Sequence, residues 1–364
     1  MTIKTERAIL VGVKGKSRDS EFDSSFQELQ GLVKAAGGVV ITSVVQAQDH
    51  TRSSTYIGKG KVEEVQRLVQ EEQPDLVVFN QELSPVQLRN LEETLEVKIV
   101  DRTMLILDIF AQRARSREGQ LQVELATLEY RLPRLTGMGR ELSRLGGGIG
   151  TRGAGEQKLE LDRRYIRRRI RDIRQQIEKV KTTRELHRKR RQRAGIREVS
   201  LVGYTNAGKS SLFNALCRIG HSSGQDQADA DSRLFQTLDT TTRKIGHLHG
   251  EQFLLTDTVG FIQNLPHHLI QAFRATLEEA IRADLILHVM DVSDPDYLEK
   301  MATVEKVLDN LGAEPGRIIP VFTKIDLLPE ARMPANGTAW VSGQTGQGTE
   351  SLLNSIAQHL GQVH

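Results

Sequence analysis

The sequence has 364 residues, of which 38% are hydrophobic and 27% are charged. This length is too great for one ordinary core and predicts two or three domains, while the composition excludes a disordered or fibrous chain. The net charge of +3 is uneven, because residues 163–197 hold sixteen Lys and Arg against three acidic residues. That segment carries +13 and the rest of the chain −10, which predicts a localised contact with a polyanion.

The sequence also excludes several other classes of protein. Its richest apolar run, residues 285–290, has the length of a strand and falls far short of the ~20 residues that span a membrane. The N-terminus lacks the apolar core of a signal peptide. The single cysteine, Cys217, excludes an internal disulfide and a cysteine metal cluster. We therefore expect a soluble cytosolic protein.

The first hundred residues predict a small N-terminal α/β domain over residues 1–101. Short apolar runs rich in β-branched residues predict strands at 7–13, 39–45 and 76–79. Apolar residues at helical spacing predict helices at 22–36, 61–70 and 86–95. By itself this domain shows no chemistry.

A helical section is predicted over residues 102–196. Two apolar series alternate steps of four and three residues: Leu121, Leu125, Leu128 and Leu132, then Ile166, Ile170, Ile173, Ile177 and Val180. Residues 137–155 contain eight glycines, too many for a helix. We expect a long antiparallel helical pair with a Gly-rich tip at 137–155, studded with arginines that include Arg131 and Arg134. The alternative is a disordered linker between domains.

The basic surface of this section predicts contact with RNA. The candidate residues are Arg140, Arg144, Arg152, Arg163, Arg164, Arg167, Arg168 and Arg171. The alternative is a solvated helix face, but such faces usually balance Glu against Lys. Tyr165 is the only aromatic residue of the basic segment, which favours recognition of phosphates and shape over base stacking.

From residue 197 to 364, strands and helices alternate again and predict a nucleotide-binding domain with a mostly parallel sheet. Its first motif, G-x-x-x-x-G-K-S, follows an apolar strand and precedes a helix. The motif comprises Gly203, Tyr204, Thr205, Asn206, Ala207, Gly208, Lys209 and Ser210, with Ser211 next to it. Backbone N–H groups of such a loop surround phosphates. Lys209 would reach the β- and γ-phosphates, and the Ser210 hydroxyl would ligate Mg²⁺.

Two further motifs complete the phosphate site. A strand ends in D-x-x-G at Asp257, Thr258, Val259 and Gly260. Asp257 would hold Mg²⁺, and the Gly260 N–H would meet the γ-phosphate. The first switch is predicted over residues 235–243, and its candidate nucleotide-binding residues are Phe235, Gln236, Thr237, Leu238 and Asp239. Thr237 is the candidate for contact with Mg²⁺ and the γ-phosphate, with Thr241 or Thr242 as alternatives.

The base-binding residues follow two later strands. They are Thr323, Lys324, Ile325 and Asp326, and then Val341, Ser342 and Gly343. The Asp326 carboxylate accepts two hydrogen bonds and matches the N1–H and N2–H₂ donors of guanine, which adenine does not offer. The phosphate loop, the D-x-x-G motif and the two base-binding motifs occur in this order, each after a strand, which predicts a GTPase. The candidate catalytic residues are Lys209, Thr237 and Gly260.

Two residues bear on hydrolysis. Phe261 follows Gly260, where Ras-like GTPases place the glutamine that orients the attacking water. A phenyl ring cannot make that hydrogen bond, so we expect slow intrinsic hydrolysis. Asn206 lies where its carbonyl could help to hold K⁺ near the phosphates. The alternative is that Asn206 only stabilises the loop.

The chain resembles the HflX family of ribosome-associated GTPases, of the Obg–HflX group, over nearly its full length. The matching stretches are 55–61 (TYIGKGK), 83–91 (LSPVQLRNL), 101–110 (DRTMLILDIF), 121–125 (LQVEL), 148–153 (GIGTRG) and 257–261 (DTVGF). The resemblance implies a monomer that binds the large ribosomal subunit and its rRNA. It also implies that the helical tip lies near the peptidyl-transferase centre and that the protein splits stalled or idle ribosomes.

This chain departs from the family at several positions. Thr323 replaces the usual Asn and Gly343 the usual Ala, while residues 239–241 and 152–156 lack a customary Pro. Thr323 weakens the case for strict GTP selectivity, because the missing amide also braces the phosphate loop. The alternatives are an ATP-driven RNA remodeller, which Asp326 opposes, and a protein-effector signalling GTPase, which the basic helix opposes.

Overall fold

The computed structural model describes residues 5–15, 19–48, 51–135, 154–220, 240–246, 252–262, 280–328 and 339–362. The chain divides into two compact units. The first contains the described residues up to 112 and from 120 to 178, and the second contains 113–119 and those from 179 on. None of the described helices is long and apolar enough to cross a membrane. The domain boundaries 101/102 and 196/197 remain predictions.

The first unit begins with a four-stranded parallel sheet in the order β2-β1-β3-β4. The strands are β1 (Arg7–Lys14), β2 (Val39–Ala47), β3 (Leu76–Phe79) and β4 (Lys98–Asp101). The helices between them are α1 (Asp19–Ala35), α2 (Lys59–Glu72) and α3 (Pro85–Leu95). Ser84 caps α3 and Pro85 occupies its first turn. The predicted α/β domain is confirmed, with each predicted strand and helix in place.

The strand β4 was not predicted, and the helix that follows it, α4 (Arg102–Arg113), lies at the start of the predicted helical section. The strand passes into the helix without a glycine or proline, because the Asp101 carboxylate caps the helix by accepting the Met104 N–H at 2.9 Å. Burial raises the pKa of Asp101, although it also accepts the Leu83 N–H and the Tyr130 hydroxyl. At the end of β4, the buried Asp101 side chain thus connects the strand to α4, to Leu83 and to Tyr130.

Arg134 lies in a helix, contrary to the prediction that it belongs to the tip. The helix α5 (Arg117–Arg134) includes Pro133, and Arg131 and Arg134 occupy its last turn. Arg134 donates to the Leu83 carbonyl at 2.7 Å and pairs with Asp101 at 3.3 Å. Its guanidinium also stacks 3.4 Å from the centre of the Tyr130 ring. The tip prediction was therefore wrong for both Arg131 and Arg134, and the Arg134 guanidinium neutralises a buried charge.

The helix α5 pairs with a 40-residue helix, α6 (Ala154–Arg193). Leucines and isoleucines of both predicted series pack together in one apolar cluster. Glu118 pairs with Arg184 and Glu129 with Arg174, so sequence number rises along one helix as it falls along the other. The antiparallel pair is confirmed. Residues 137–153 of the predicted tip, with Arg140, Arg144 and Arg152, lie outside the described residues.

The second unit contains a six-stranded sheet in the order β10-β9-β8-β5-β7-β6. Its strands are β5 (Arg197–Gly203), β6 (Thr241–Gly246), β7 (Gln252–Asp257), β8 (Leu285–Asp291), β9 (Ile318–Thr323) and β10 (Ala339–Trp340). The helices are α7 (Lys209–Ile219), α8 (Tyr297–Asn310) and α9 (Thr349–Gln362). Only β6 runs antiparallel to its neighbour among these strands. The predicted mostly parallel sheet is confirmed, and its carboxyl ends bring the candidate nucleotide residues to one edge.

Candidate nucleotide site

The phosphate loop joins β5 to α7 and depends on backbone conformations that glycine permits. A Cβ on Gly203 would lie 2.2 Å from the Val289 carbonyl oxygen, so a side chain there would displace β8. Gly208, the N-cap residue that precedes α7, has a φ of +86°, and Asn206 has a φ of +62°. Asparagine tolerates that left-handed conformation better than most residues. Asn206 is exposed, so its side chain is accessible to a ligand.

Lys209 lies beneath this loop, and its side chain is almost fully buried. Its ammonium donates to the Gly203 and Tyr204 carbonyls at 3.0 and 2.8 Å. Because an ammonium carries three protons, these two bonds leave one donor for a phosphate oxygen. Burial lowers the pKa of Lys209 to about 8, and the nearby Asp257 carboxylate partly opposes this. At neutral pH the group therefore remains mainly protonated.

Ser210 and Asp257 bring two oxygen ligands together at the start of α7 and the end of β7. The Ser210 hydroxyl donates to the Asp257 carboxylate at 2.7 Å, and Asp257 is fully buried. Hydroxyl and carboxylate oxygens suit Mg²⁺, which is bound through few protein groups and otherwise through waters and phosphates. The residues therefore fit the ion, which would neutralise charge on the β- and γ-phosphates when bound.

The D-x-x-G segment pairs directly with the phosphate loop. The Phe261 N–H donates to the Gly203 carbonyl at 3.1 Å, and the Thr205 N–H donates to the Phe261 carbonyl at 2.7 Å. A Cβ on Gly260 would lie 2.8 Å from the Thr205 Cα and 2.9 Å from the Lys209 Nζ. The close approach therefore requires glycine at position 260. The Phe261 ring itself is buried in the core of the second unit.

Thr323 braces the phosphate loop in place of the usual asparagine. Its buried hydroxyl lies 2.6 Å from the Ala207 carbonyl oxygen and 2.9 Å from that of Met290. The expectation that the brace is missing is therefore corrected, because a hydroxyl replaces the amide. A hydroxyl has one proton and an amide two, so Thr323 donates to only one of these carbonyls at a time.

We expect Thr323→Val to weaken GDP binding about tenfold, whereas Thr323→Ser should bind almost as the wild type does. Valine has the shape of threonine but no hydroxyl, so the brace to Ala207 is lost and a buried carbonyl loses a donor. Titration with a fluorescent GDP analogue measures the affinity. Equal affinity of the valine variant would show that the hydroxyl does not position the loop.

The remaining base-binding residues lie next to this brace. Asp326 is exposed on a short 3-10 turn after β9, and Lys324 pairs with Asp291 at 2.6 Å. A Cβ on Gly343 would lie 2.8 Å from backbone atoms of Ser211 and Leu212. The loop after β10 thus packs against the first turn of α7, which explains why glycine replaces the usual alanine.

The structure describes only part of the predicted first switch. Residues 235–239, which include Thr237, lie outside the described residues. The two alternatives, Thr241 and Thr242, lie in β6 opposite Asp257 and Thr256. The Thr242 hydroxyl contacts that of Thr256 at 3.0 Å. The role of Thr237 stays a prediction.

The sequence analysis did not single out His288, a buried residue of β8 beneath the phosphate loop. Within the described part of the chain, its Nε2 has no hydrogen-bond partner. Burial and the charge of Lys209 lower the pKa of His288 to about 4, so the ring is neutral at pH 7. The only sequence feature that could have indicated this residue is the presence of a histidine within the apolar run 285–290. Its neutrality avoids a second positive charge beside Lys209.

Comparison with known families agrees with this geometry. Residues 23–111 match the family described as "GTP-binding GTPase N-terminal", and residues 113–191 the one described as "GTP-binding GTPase Middle Region". Residues 198–324 match the family described as "50S ribosome-binding GTPase". The three matches follow one another along the chain.

Curated relatives are similar over almost the whole chain. It is 51% identical over 355 residues to the GTPase HflX of Caldanaerobacter subterraneus subsp. tengcongensis, covering 98% of this chain and 81% of the relative. It is 41% identical over 369 residues to the GTPase HflX of Escherichia coli K12, covering 97% and 84%. A GTP-binding protein from Sulfolobus solfataricus, solved in complex with GDP, has the same fold. That match has a TM-score of 0.51 and 23% identity, and covers 99% of this chain and 100% of the other.

Proposed function

The chain belongs to the HflX family of GTPases, and we propose that it binds the large ribosomal subunit in its GTP state and dissociates stalled or idle ribosomes. The chain is a GTP hydrolase, since its relatives are GTPases and its second unit contains the P-loop GTPase fold. The E. coli and C. subterraneus relatives are named as GTPases only, so the ribosomal activity is the proposed part.

The exposed arginines of α6 carry the proposal. Arg169, Arg174 and Arg184 pair with glutamates of α5. In contrast, Arg167, Arg168 and Arg171 are exposed and form no ion pair with any described residue. Three unpaired guanidinium groups within two helical turns repel one another unless a polyanion neutralises them. Ribosomal RNA supplies the phosphates for such a contact.

The nucleotide site sets the order of events. We place Mg²⁺ on Ser210, Asp257 and Thr237, and K⁺ beside Asn206. Mg²⁺ and Lys209 would hold GTP and neutralise charge on the transferred phosphate. The buried Phe261 ring offers no hydrogen bond to the attacking water. We infer that subunit contacts complete the positioning of water, so hydrolysis follows docking and resets the protein. The protein would work in the cytoplasm, as a monomer.

GTP and ATP turnover, measured in KCl and in NaCl with and without purified large ribosomal subunits, tests this proposal. We expect subunits to stimulate GTP turnover by about 10²-fold or more. In other GTPases, supplying the group that orients the water or stabilises the transition-state charge raises kcat by at least this factor. We expect ATP turnover to stay low and NaCl to reduce the GTP rate. Stimulation should fall steeply as salt rises.

Each contrary result removes a defined part of the proposal. No stimulation by subunits would remove the ribosome-activated mechanism while leaving the GTPase assignment in place. Equal rates in KCl and NaCl would remove K⁺ from the site. A preference for ATP would favour an ATP-driven remodeller, which Thr323 in place of asparagine makes the second candidate. If stimulation occurs, sucrose-gradient profiles of intact ribosomes with GTP should show added free subunits.

A further inference from the structure

Two large apolar side chains are exposed close together in the first part of the helix α6. Leu161 is 63% exposed and Tyr165 is 69% exposed. They lie four residues apart, so they are neighbours on one face of the helix. Ile166, Ile170 and Ile173 form the seam that packs against α5, and the helical period places Leu161 and Tyr165 on a different face from that seam.

Exposed arginines surround this apolar pair. Arg164 precedes Tyr165, and Arg168 follows it by three residues on the same face. Arg164 pairs with Glu160 at 2.6 Å, while Arg168 has no ion pair with any residue that the structure describes. Asp162 and Asp172 are the other exposed acidic groups of this stretch. The surface therefore combines a flat ring, an aliphatic side chain, a paired guanidinium at Arg164 and, among the described residues, an unpaired one at Arg168.

We propose that Tyr165 and Leu161 stack on an unpaired base of the large-subunit RNA while Arg164 and Arg168 contact the adjacent phosphates. The inference rests on the proposed function and adds the mode of recognition. Single-stranded RNA offers a flat aromatic face within a few ångströms of a phosphate charge, whereas A-form duplexes hide their bases. An acidic protein surface would satisfy the arginines but would leave the exposed ring without a matching face.

This inference reverses the expectation that a single aromatic residue favours contact with phosphates alone. The segment has only one aromatic residue, but whether a ring can stack on a base depends on its exposure rather than on the number of rings. A tyrosine inside the α5 seam would contribute to folding, whereas at 69% exposure its ring remains available for a partner. An aromatic ring can stack on any of the four bases. The arginine contacts to neighbouring phosphates would therefore decide which base the Tyr165 ring meets.

Binding of the full chain to purified large subunits, measured at several KCl concentrations with a non-hydrolysable GTP analogue, tests the inference. Tyr165→Ala should weaken binding about tenfold at every salt concentration, because stacking releases no counterions. Tyr165→Phe should restore binding. Arg168→Gln should instead reduce the salt slope by about 0.7–0.9. Leu186→Ala, a change of another exposed leucine on the same helix, is the matched control and should bind as the wild type does.

The outcomes separate this inference from the proposed function. Wild-type binding together with unaltered binding by Tyr165→Ala would overturn the stacking contact and leave ribosome binding intact. Failure of the wild-type chain to bind would overturn the proposed function itself. Binding of deproteinised large-subunit RNA provides the second readout. A tyrosine effect seen with intact subunits but absent with that RNA would assign the ring to a ribosomal protein and overturn the inference.

Discussion

Replacing Lys209 by alanine should abolish measurable GTP hydrolysis, lowering kcat/KM by about 10³-fold or more. The lysine ammonium is the buried positive charge of the phosphate loop, and its bonds to two backbone carbonyls leave one proton for a phosphate oxygen. Alanine removes the charge and leaves the Asp257 carboxylate without that compensation. Single-turnover hydrolysis of radiolabelled GTP measures the loss.

Lys306→Ala is the matched control for this variant. Lys306 is an exposed lysine of α8, outside the nucleotide site, so its removal should leave turnover unchanged. Thermal unfolding of both variants shows whether each remains folded. Normal turnover by Lys209→Ala would refute the assignment of the phosphate loop, and loss of turnover in both variants would point to a general effect of lysine removal.

Replacing Asp326 by asparagine should change the base specificity from guanine to xanthine. The carboxylate accepts from the N1–H and N2–H₂ groups of guanine, and the amide of asparagine cannot accept both bonds. We expect GTP affinity to fall about 10³-fold, because buried polar groups left unpaired discriminate strongly. Xanthine offers a carbonyl at position 2, which accepts from the asparagine N–H₂, so XTP should bind and be hydrolysed.

Competition between GTP, XTP and ATP for a fluorescent nucleotide measures this change. Recovery of turnover with XTP shows that the variant is folded and that the lost GTP activity is a matter of base recognition. Unaltered GTP affinity would show that Asp326 does not read the base. In that case Thr323, in place of the usual asparagine, would mark a site with different base recognition.

Elements with a local signature could be predicted from the sequence. The period of the apolar residues in α5 and α6 predicted their seam, and the motifs themselves predicted the strands that end near Gly203, Asp257 and Thr323. The strand β4 was missed because it is only four residues long and no glycine or proline separates it from the helix that follows. The Asp101 side chain makes that boundary, and its role as a cap depends on the fold.

The chemistry of the site divides in the same way. The spacing of Lys209, Ser210 and Asp257 predicted their meeting, because parallel strands end at one edge of the sheet. The hydroxyl brace of Thr323 could not be predicted, since its acceptor Ala207 is 116 residues away. Burial of Arg134 and Arg102 also depends on distant partners, such as Glu28, which pairs with Arg102 at 3.0 Å. A charge pattern indicates how many charges a segment has, but only packing decides which are neutralised.

The two backbone hydrogen bonds between the phosphate loop and the Phe261 segment have a thermodynamic consequence. Because of these bonds, a displacement of the phosphate loop also displaces the Phe261 segment. Nucleotide binding at the loop is therefore coupled in free energy to any contact that depends on the position of the Phe261 segment. Such coupling is reciprocal. If GTP tightens the attachment to a ribosomal subunit about tenfold, the subunit must tighten the hold on GTP by the same factor, about 1.4 kcal/mol. A ribosomal subunit that binds the GTP form more tightly would therefore slow the release of GTP from the protein. This effect would end when GTP is hydrolysed to GDP.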